Sequence, residues 1–376
     1  MIYAGAISVS ILFSLLVQQK REKIQIKNSK IIISHGNIIR FLMVILSILF
    51  PLMLSVFRYG IGTDYFYTYI PQFKKIISGG ESYYEIGFYW FNKFIGMFTS
   101  NGQVLIAVTS LIFIGIVYRE IYRSSQQYWL SILLFYLSFV YFISLNNIRQ
   151  SMASAILLIA LTFLIKEHRI GFICCVMVAA SIHQIAIIFL LFLLIEKIQL
   201  SSISYTILAI GFWGACKFIV PLVLIKIVEY IPRLKLYYVA DELSIYSNKT
   251  IGTFWLLVQI IIMLYLNYID IIYKPNKSKN SIKDYREWNI IKLNQCLLLC
   301  VCAMDGIVPA TYRIVRMFSF SQFLFIPNIV YKYEKNKPRR LIQVIFIISI
   351  FTILFIENLI AGSEEVFPYT SIFSAF

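Results

Sequence analysis

Long apolar runs, separated by short polar or basic stretches, recur from one end of the chain to the other. The runs are continuous. Strict alternation would mark the strands of a membrane barrel. Runs of about 17–25 residues instead mark helices long enough to cross a hydrocarbon core of roughly 30 Å. The pattern predicts about twelve spans, over 1–17, 39–57, 103–118, 128–145, 148–165, 170–183, 184–196, 201–227, 251–271, 290–306, 313–331 and 341–359. No internal repeat, low-complexity tract or linker interrupts them. The expected fold class is all-α: a polytopic transmembrane helical bundle, with 1–376 as one integral membrane domain.

One break in this pattern needs an argument. Residues 170–196 could form a single long tilted helix, because each half is short for a full span. A single span would reverse the side of every later loop and place the Lys-rich segments beyond it outside. Short loops rich in Lys and Arg stay in the cytoplasm. A break at His183 is therefore expected.

Composition agrees with a membrane protein. Of the 376 residues, 60% are hydrophobic and 14% charged, and mean hydropathy is +0.78. The formal net charge of +16 collects in short segments: Lys20, Arg21, Lys23, Lys27 and Lys30; then Lys274, Lys277, Lys279, Lys283 and Arg286; then Lys332, Lys335, Lys337, Arg339 and Arg340. Without aromatic interleaving or a nucleic-acid motif, these read as topology signals rather than as a nucleic-acid surface. With basic loops inside, the outside segments are 58–102, 146–149, 183, 228–250, 307–312 and 360–376. The first apolar run has no cationic region before it, which is the reverse of a secretory signal peptide. Its N-terminus is expected outside. The six cysteines fall inside apolar runs with no metal-site spacing.

Two outside segments are aromatic. Residues 58–102 carry Tyr59, Tyr65, Phe66, Tyr67, Tyr69, Tyr83, Tyr84, Phe88, Tyr89, Trp90 and Phe91. Within them, Ile86 to Phe98 is expected to form an amphipathic helix lying in the interface. Residues 228–250 add Tyr230, Tyr237, Tyr238 and Tyr246. Sugar binding and interfacial anchoring both account for such rings.

Ionisable groups at the edge of a bilayer are costly unless they face protein or water. Arg58 and Arg149 lie at outer ends of predicted spans. Arg313 and Arg316 lie at the outer start of another and share a helix face at i, i+3. A guanidinium is a planar fork of donors suited to phosphate oxygens. Snorkelling explains any one of these arginines; the set of four points to a shared anion, a diphosphate. Asp64 follows Gly60 and Gly62. It reads as a general base, a sugar-hydroxyl acceptor or the ion-pair partner of Arg58. His183 reads as a proton acceptor or as a hydrogen-bonded packing residue. Glu85 is a further outer carboxylate, assigned with Tyr65 to sugar contact. For Asp305 the simplest reading is pairing with Arg313. No nucleophile elbow, Walker loop, His-Glu-x-x-His or Asp-x-Asp pair occurs, so no metal or cofactor is expected.

Four blocks occur in order: Arg58-Tyr59-Gly60-Ile61-Gly62-Thr63-Asp64-Tyr65, Glu85-Ile86-Gly87-Phe88, Asn147-Ile148-Arg149-Gln150 and Ser181-Ile182-His183. Together they resemble EpsG-like membrane proteins, which belong with the Wzy-type polysaccharide polymerases of bacteria. Tyr312-Arg313-Ile314-Val315-Arg316 is similar to a looser, later block. The resemblance covers 58–190 best. It implies a multi-pass glycosyltransferase of the bacterial cytoplasmic membrane, making capsular, exopolysaccharide or O-antigen-like polymer at the outer face. Its substrates would be repeat units on undecaprenyl diphosphate, and a flippase and a chain-length regulator of the same pathway would be its partners. The rivals are a flippase for lipid-linked oligosaccharide and a polysaccharide ligase. A transporter should place its ionisable residues near the midplane, whereas here they cluster towards one face.

Overall fold

The computed structural model describes residues 2–26, 35–219, 251–275, 282–306, 308 and 311–374. The aromatic loop 228–250, the end of the expected 201–227 span, and Lys27, Lys30, Lys277 and Lys279 lie outside them. Every regular element described is helical; the isolated bridge between Arg58 and Ser371 is the strand-like contact. The protein is a polytopic helical membrane protein. Six helical stretches are long and apolar enough to span: Ile38–Val56, Gly102–Ser124, Ile148–Ile165, Thr253–Tyr273, Thr311–Tyr333 and Lys337–Ile360. Each falls on an expected span. Ile2–Gln18, Arg169–Ile182 and Gln184–Ile195 are apolar but shorter.

The described residues gather into two compact units. One holds Met1–Thr162, Ile170–Ile187 and Gln322–Phe376; the other holds Phe163–Arg169 and Ile188–Ser321. In the first unit, α1 (Ile2–Ile26) packs on α2 (His35–Val56), and α2 on α5 (Gly102–Ser124). Pro51 stands inside α2. It has no N–H, so the Ser47 carbonyl one turn earlier loses its helical donor. Ser10 of α1 supplies the missing bond at 2.7 Å. Ser10 also meets the hydroxyl of Tyr118 at 2.9 Å, and Tyr118 meets Tyr136 at 2.6 Å. Polar side chains thus knit helices whose apolar faces would pack no better on one another than on lipid.

The expected span 128–145 is bent. Helices α6 (Tyr128–Leu137) and α7 (Val140–Asn146) meet at 53°. Phe139 between them is left-handed, with φ 63°. That conformation costs an L-residue about 1–2 kcal/mol. Burial of the ring and its stacking on Phe142 at 4.9 Å offset the cost. The bend ends α7 beside the start of α8 (Ile148–Ile165).

Between α2 and α5 lie a π-helical turn (Tyr65–Tyr69), α3 (Ile70–Ile77) and α4 (Ile86–Gly96). A helix is present at the expected place, as α4, and it is amphipathic. Phe88, Asn92 and Ile95 face inward, while Ile86, Trp90 and Phe94 are exposed. Helix α9 (Arg169–Ile182) stops where the sequence requires a break, and Gln184–Leu190 continues as 3-10 helix.

The chain ends as a strap across the first unit. After α16 (Lys337–Ile360), the backbone turns through Gly362, Glu364 and Glu365 at φ 61°, 68° and 51°. It then runs beside residues 57–62. Tyr59 N–H donates to Thr370 O (3.1 Å), Gly62 N–H to Glu365 O (3.2 Å) and Ile372 N–H to Phe57 O (3.0 Å). The rings of Tyr3, Phe367 and Tyr369 hold it edge-on.

In the second unit, α13 (Ile282–Cys302) packs against α11 (Ser202–Phe218), α12 (Thr253–Tyr273) and α14 (Thr311–Ser319). Two of the unit's carboxylates, Asp270 and Glu196, are paired inside. Asp270 accepts from Trp288 Nε1 (3.0 Å) and the Ser202 N–H (2.5 Å), with Lys292 Nζ at 3.6 Å. The enclosed Glu196 carboxylate accepts from both Arg169 and Arg286. The two guanidiniums make its burial tolerable.

Candidate functional site

The site residues of the first unit converge because two glycines permit close approach. Gly62 is left-handed, with φ 79°, and a Cβ there would stand 2.6 Å from Asn146 Oδ1. This lets the loop press on the end of α7, where Asn146 Oδ1 accepts the Asp64 N–H at 2.9 Å. Gly87 does the same for α4 and α9: a Cβ there would lie 2.3 Å from Ser181 Oγ and 2.8 Å from the Ser181 carbonyl. Gly87→Ala should therefore push α4 off α9 and cost about 1–3 kcal/mol, read as a lower melting temperature of the purified protein. Adding Ser181→Ala should recover part of it, since the hydroxyl contact then goes and the carbonyl contact stays. A Gly87→Ala protein as stable as the parent would contradict this packing.

Glu85, just before α4, is the hub. Its Oε2 accepts from Arg149 Nη1 at 2.5 Å. Its Oε1 takes the Gln184 N–H at 3.2 Å, a donor freed by the break after α9, and lies 3.4 Å from His183 Nδ1. The last distance is long for a well-formed hydrogen bond. Burial alone would raise the carboxyl pKa. His183, Arg149 and the backbone N–H outweigh it and hold the group at about 2. Glu85 is thus anionic at any neutral pH.

Arg149 occupies the first turn of α8, where free backbone N–H groups and the helix dipole favour an anion. Its guanidinium lies over the ring of Tyr84 at 4.5 Å and beside Tyr83 at 5.9 Å. Nη1 serves Glu85. Among the described residues no further hydrogen bond to its other nitrogens forms. The side chain is partly accessible (17%), so donors remain for a ligand. The buried hydroxyls of Tyr69 and Tyr84 lie within electrostatic reach of both Arg149 and Asp64. Asp64 is partly exposed and accepts from Thr68 Oγ1 at 3.2 Å.

The other sequence candidates sit differently. Arg58 is 1% exposed. It donates to Ser55 O and, at 2.6 Å, to Ser110 Oγ. Nε and Nη2 meet no hydrogen-bond partner among the described residues. The guanidinium borders a small cavity lined by Ser55, Ser110, Ser144 and Ser151, and burial lowers its pKa to about 10. It remains a cation, pointing into the bundle. Tyr65 is also buried, its hydroxyl donating to Gln103 Oε1. His183 is 5% exposed, with both ring nitrogens enclosed. Arg313 and Arg316 belong to the second unit, where both lie over the ring of Tyr312, at 5.7 and 5.3 Å. Asp305, in that unit, accepts the Ile251 N–H at 2.7 Å.

One carboxylate of the site was not found by sequence reasoning. Glu364 Oε2, on the C-terminal strap, accepts from Asn146 Nδ2 at 2.7 Å and from Asn147 Nδ2. The only local signal is an acidic pair after a glycine at the end of the last apolar run.

In the described residues of this helical membrane protein, a partly accessible arginine at a helix start thus meets one carboxylate, Glu85, and the rings of Tyr83 and Tyr84. The chain belongs to the EpsG family, whose model matches residues 41–371. Membership places it among polysaccharide polymerase-like membrane proteins. No curated protein and no solved structure matches it.

Proposed function

We propose that the protein polymerises a bacterial surface polysaccharide, moving glycan from undecaprenyl diphosphate to an acceptor sugar on a second lipid-linked repeat unit at the outer face of the cytoplasmic membrane. The observation that carries this is the partly served guanidinium of Arg149 at the start of α8, with the partly exposed Asp64 within electrostatic reach of the same two tyrosines, Tyr69 and Tyr84. In this reading the remaining Arg149 donors and the α8 N–H groups hold the diphosphate and stabilise it as it leaves. The bond from the anomeric carbon to the diphosphate oxygen breaks, and one to the acceptor oxygen forms. Asp64 takes the acceptor proton. Diphosphate is already a good leaving group, so the step needs no nucleotide. Glu85 and His183 orient Arg149, and Tyr83 and Tyr84 offer faces to a sugar. Arg58, enclosed among serines, holds the loop rather than the ligand.

Deletion tests the reading. Cells lacking the protein should lose long polymer and accumulate single lipid-linked repeat units outside. Accumulation inside the membrane would identify a flippase. Full-length polymer that fails to reach its final acceptor would identify a ligase.

A further inference from the structure

Glu364 and Glu365 are consecutive non-glycine residues in left-handed conformation. Such backbone is uncommon, persists only where surroundings impose it, and gathers at functional sites. What imposes it here is the strap, tied to residues 57–62 by three backbone hydrogen bonds and to Tyr3 through the Val366 carbonyl at 3.1 Å. The turn delivers one carboxylate to two adjacent amides 218 and 217 residues earlier in the chain. Those amides stand at a critical joint. Asn146 closes α7 and, through its oxygen, fixes the Asp64 N–H. Asn147 is the last residue before α8, and its carbonyl takes the first helical N–H, from Ser151, at 3.0 Å.

We infer that Glu364 is a positioning residue of the site, locking Asn146 and Asn147 so that Asp64 and the Arg149-bearing start of α8 are held in register. The role as a diphosphate site rests on the function proposed above; the locking does not. An amide can donate or accept in several orientations. A shared carboxylate accepts only, so both Nδ2 groups must turn to it. This leaves the Asn146 oxygen aimed at Asp64. The strap thereby becomes part of the site.

The test uses the purified full-length protein and two readouts: hydrogen exchange of residues 58–66 and 146–150, and affinity for farnesyl diphosphate as a short lipid-diphosphate probe. Glu364→Ala should speed exchange in both segments, leave the middle of α5 unchanged, and weaken probe binding on the order of tenfold, the scale on which losing the partner of a ligand acts. Glu364→Gln should restore both readouts, because its amide oxygen still accepts from both asparagines. Asn147→Leu removes one donor from the other side and should move the same segments, which keeps the test open if the alanine variant folds poorly. Wild-type exchange in Glu364→Ala overturns the inference. So does a Gln variant with normal exchange but lost binding, since the locking of the asparagines would then not account for binding. If wild type binds no probe while the exchange pattern holds, the positioning stands and the diphosphate reading falls.

Discussion

Arg149→Lys is expected to reduce polymer formation about 10²–10³-fold, the range for removing one donor aimed at developing charge. The substitution keeps the charge, so a purely electrostatic role predicts little change. The geometry predicts more. One guanidinium nitrogen already serves Glu85 while the plane rests on Tyr84. Only a fork of donors can satisfy that carboxylate and a phosphate together. A lysine ammonium at the same place must choose, and Glu85 is the resident anion. The measurement is polymer length and yield at matched expression. Lys332→Ala, in a basic segment away from the site, serves as comparison and should leave both unchanged. Equal polymer from the two variants would remove Arg149 from the diphosphate site.

Asp64→Asn is expected to slow transfer about 10²–10⁴-fold, the usual contribution of a general base, while farnesyl diphosphate still binds. The amide preserves the shape of the side chain and the backbone bond to Asn146, so the loop should stay in place. His183→Gln should cost less than tenfold, because both imidazole nitrogens are enclosed and the ring faces Glu85 rather than open space. The comparison separates the two bases. If instead His183→Gln loses about 10²–10⁴-fold and Asp64→Asn stays active, His183 is the base and the site must open to admit an acceptor.

The architecture was largely legible from the chain. Continuous apolar runs announce helices because every backbone polar group must be satisfied within lipid, and six of the expected spans coincide with long apolar helices. The stop at His183 followed from charge bookkeeping along the loops. The bend at Phe139 did not, since nothing in Leu137-Ser138-Phe139 is a helix breaker. The left-handed turn exists because the phenyl ring finds Phe142 and burial.

The site divides in the same way. Arg149, Glu85, Asp64 and His183 stood out because ionisable residues are rare in such a chain, and rarity is a property of sequence. Their roles depended on packing. Arg58 and Arg149 look alike at the ends of apolar runs, yet one points into a serine-lined interior and the other lies partly open at a helix start. Glu85 reads in the chain only as an outer carboxylate, and the contact of Gly87 with Ser181 carries it between Arg149 and His183. Glu364 lies more than two hundred residues from the asparagines it holds. Residue type and hydropathy are local, so the chain alone determined a polytopic helical membrane protein and its stock of charged residues. Hydrogen bonds and close glycine contacts join distant segments, so only the tertiary structure decided which charges meet.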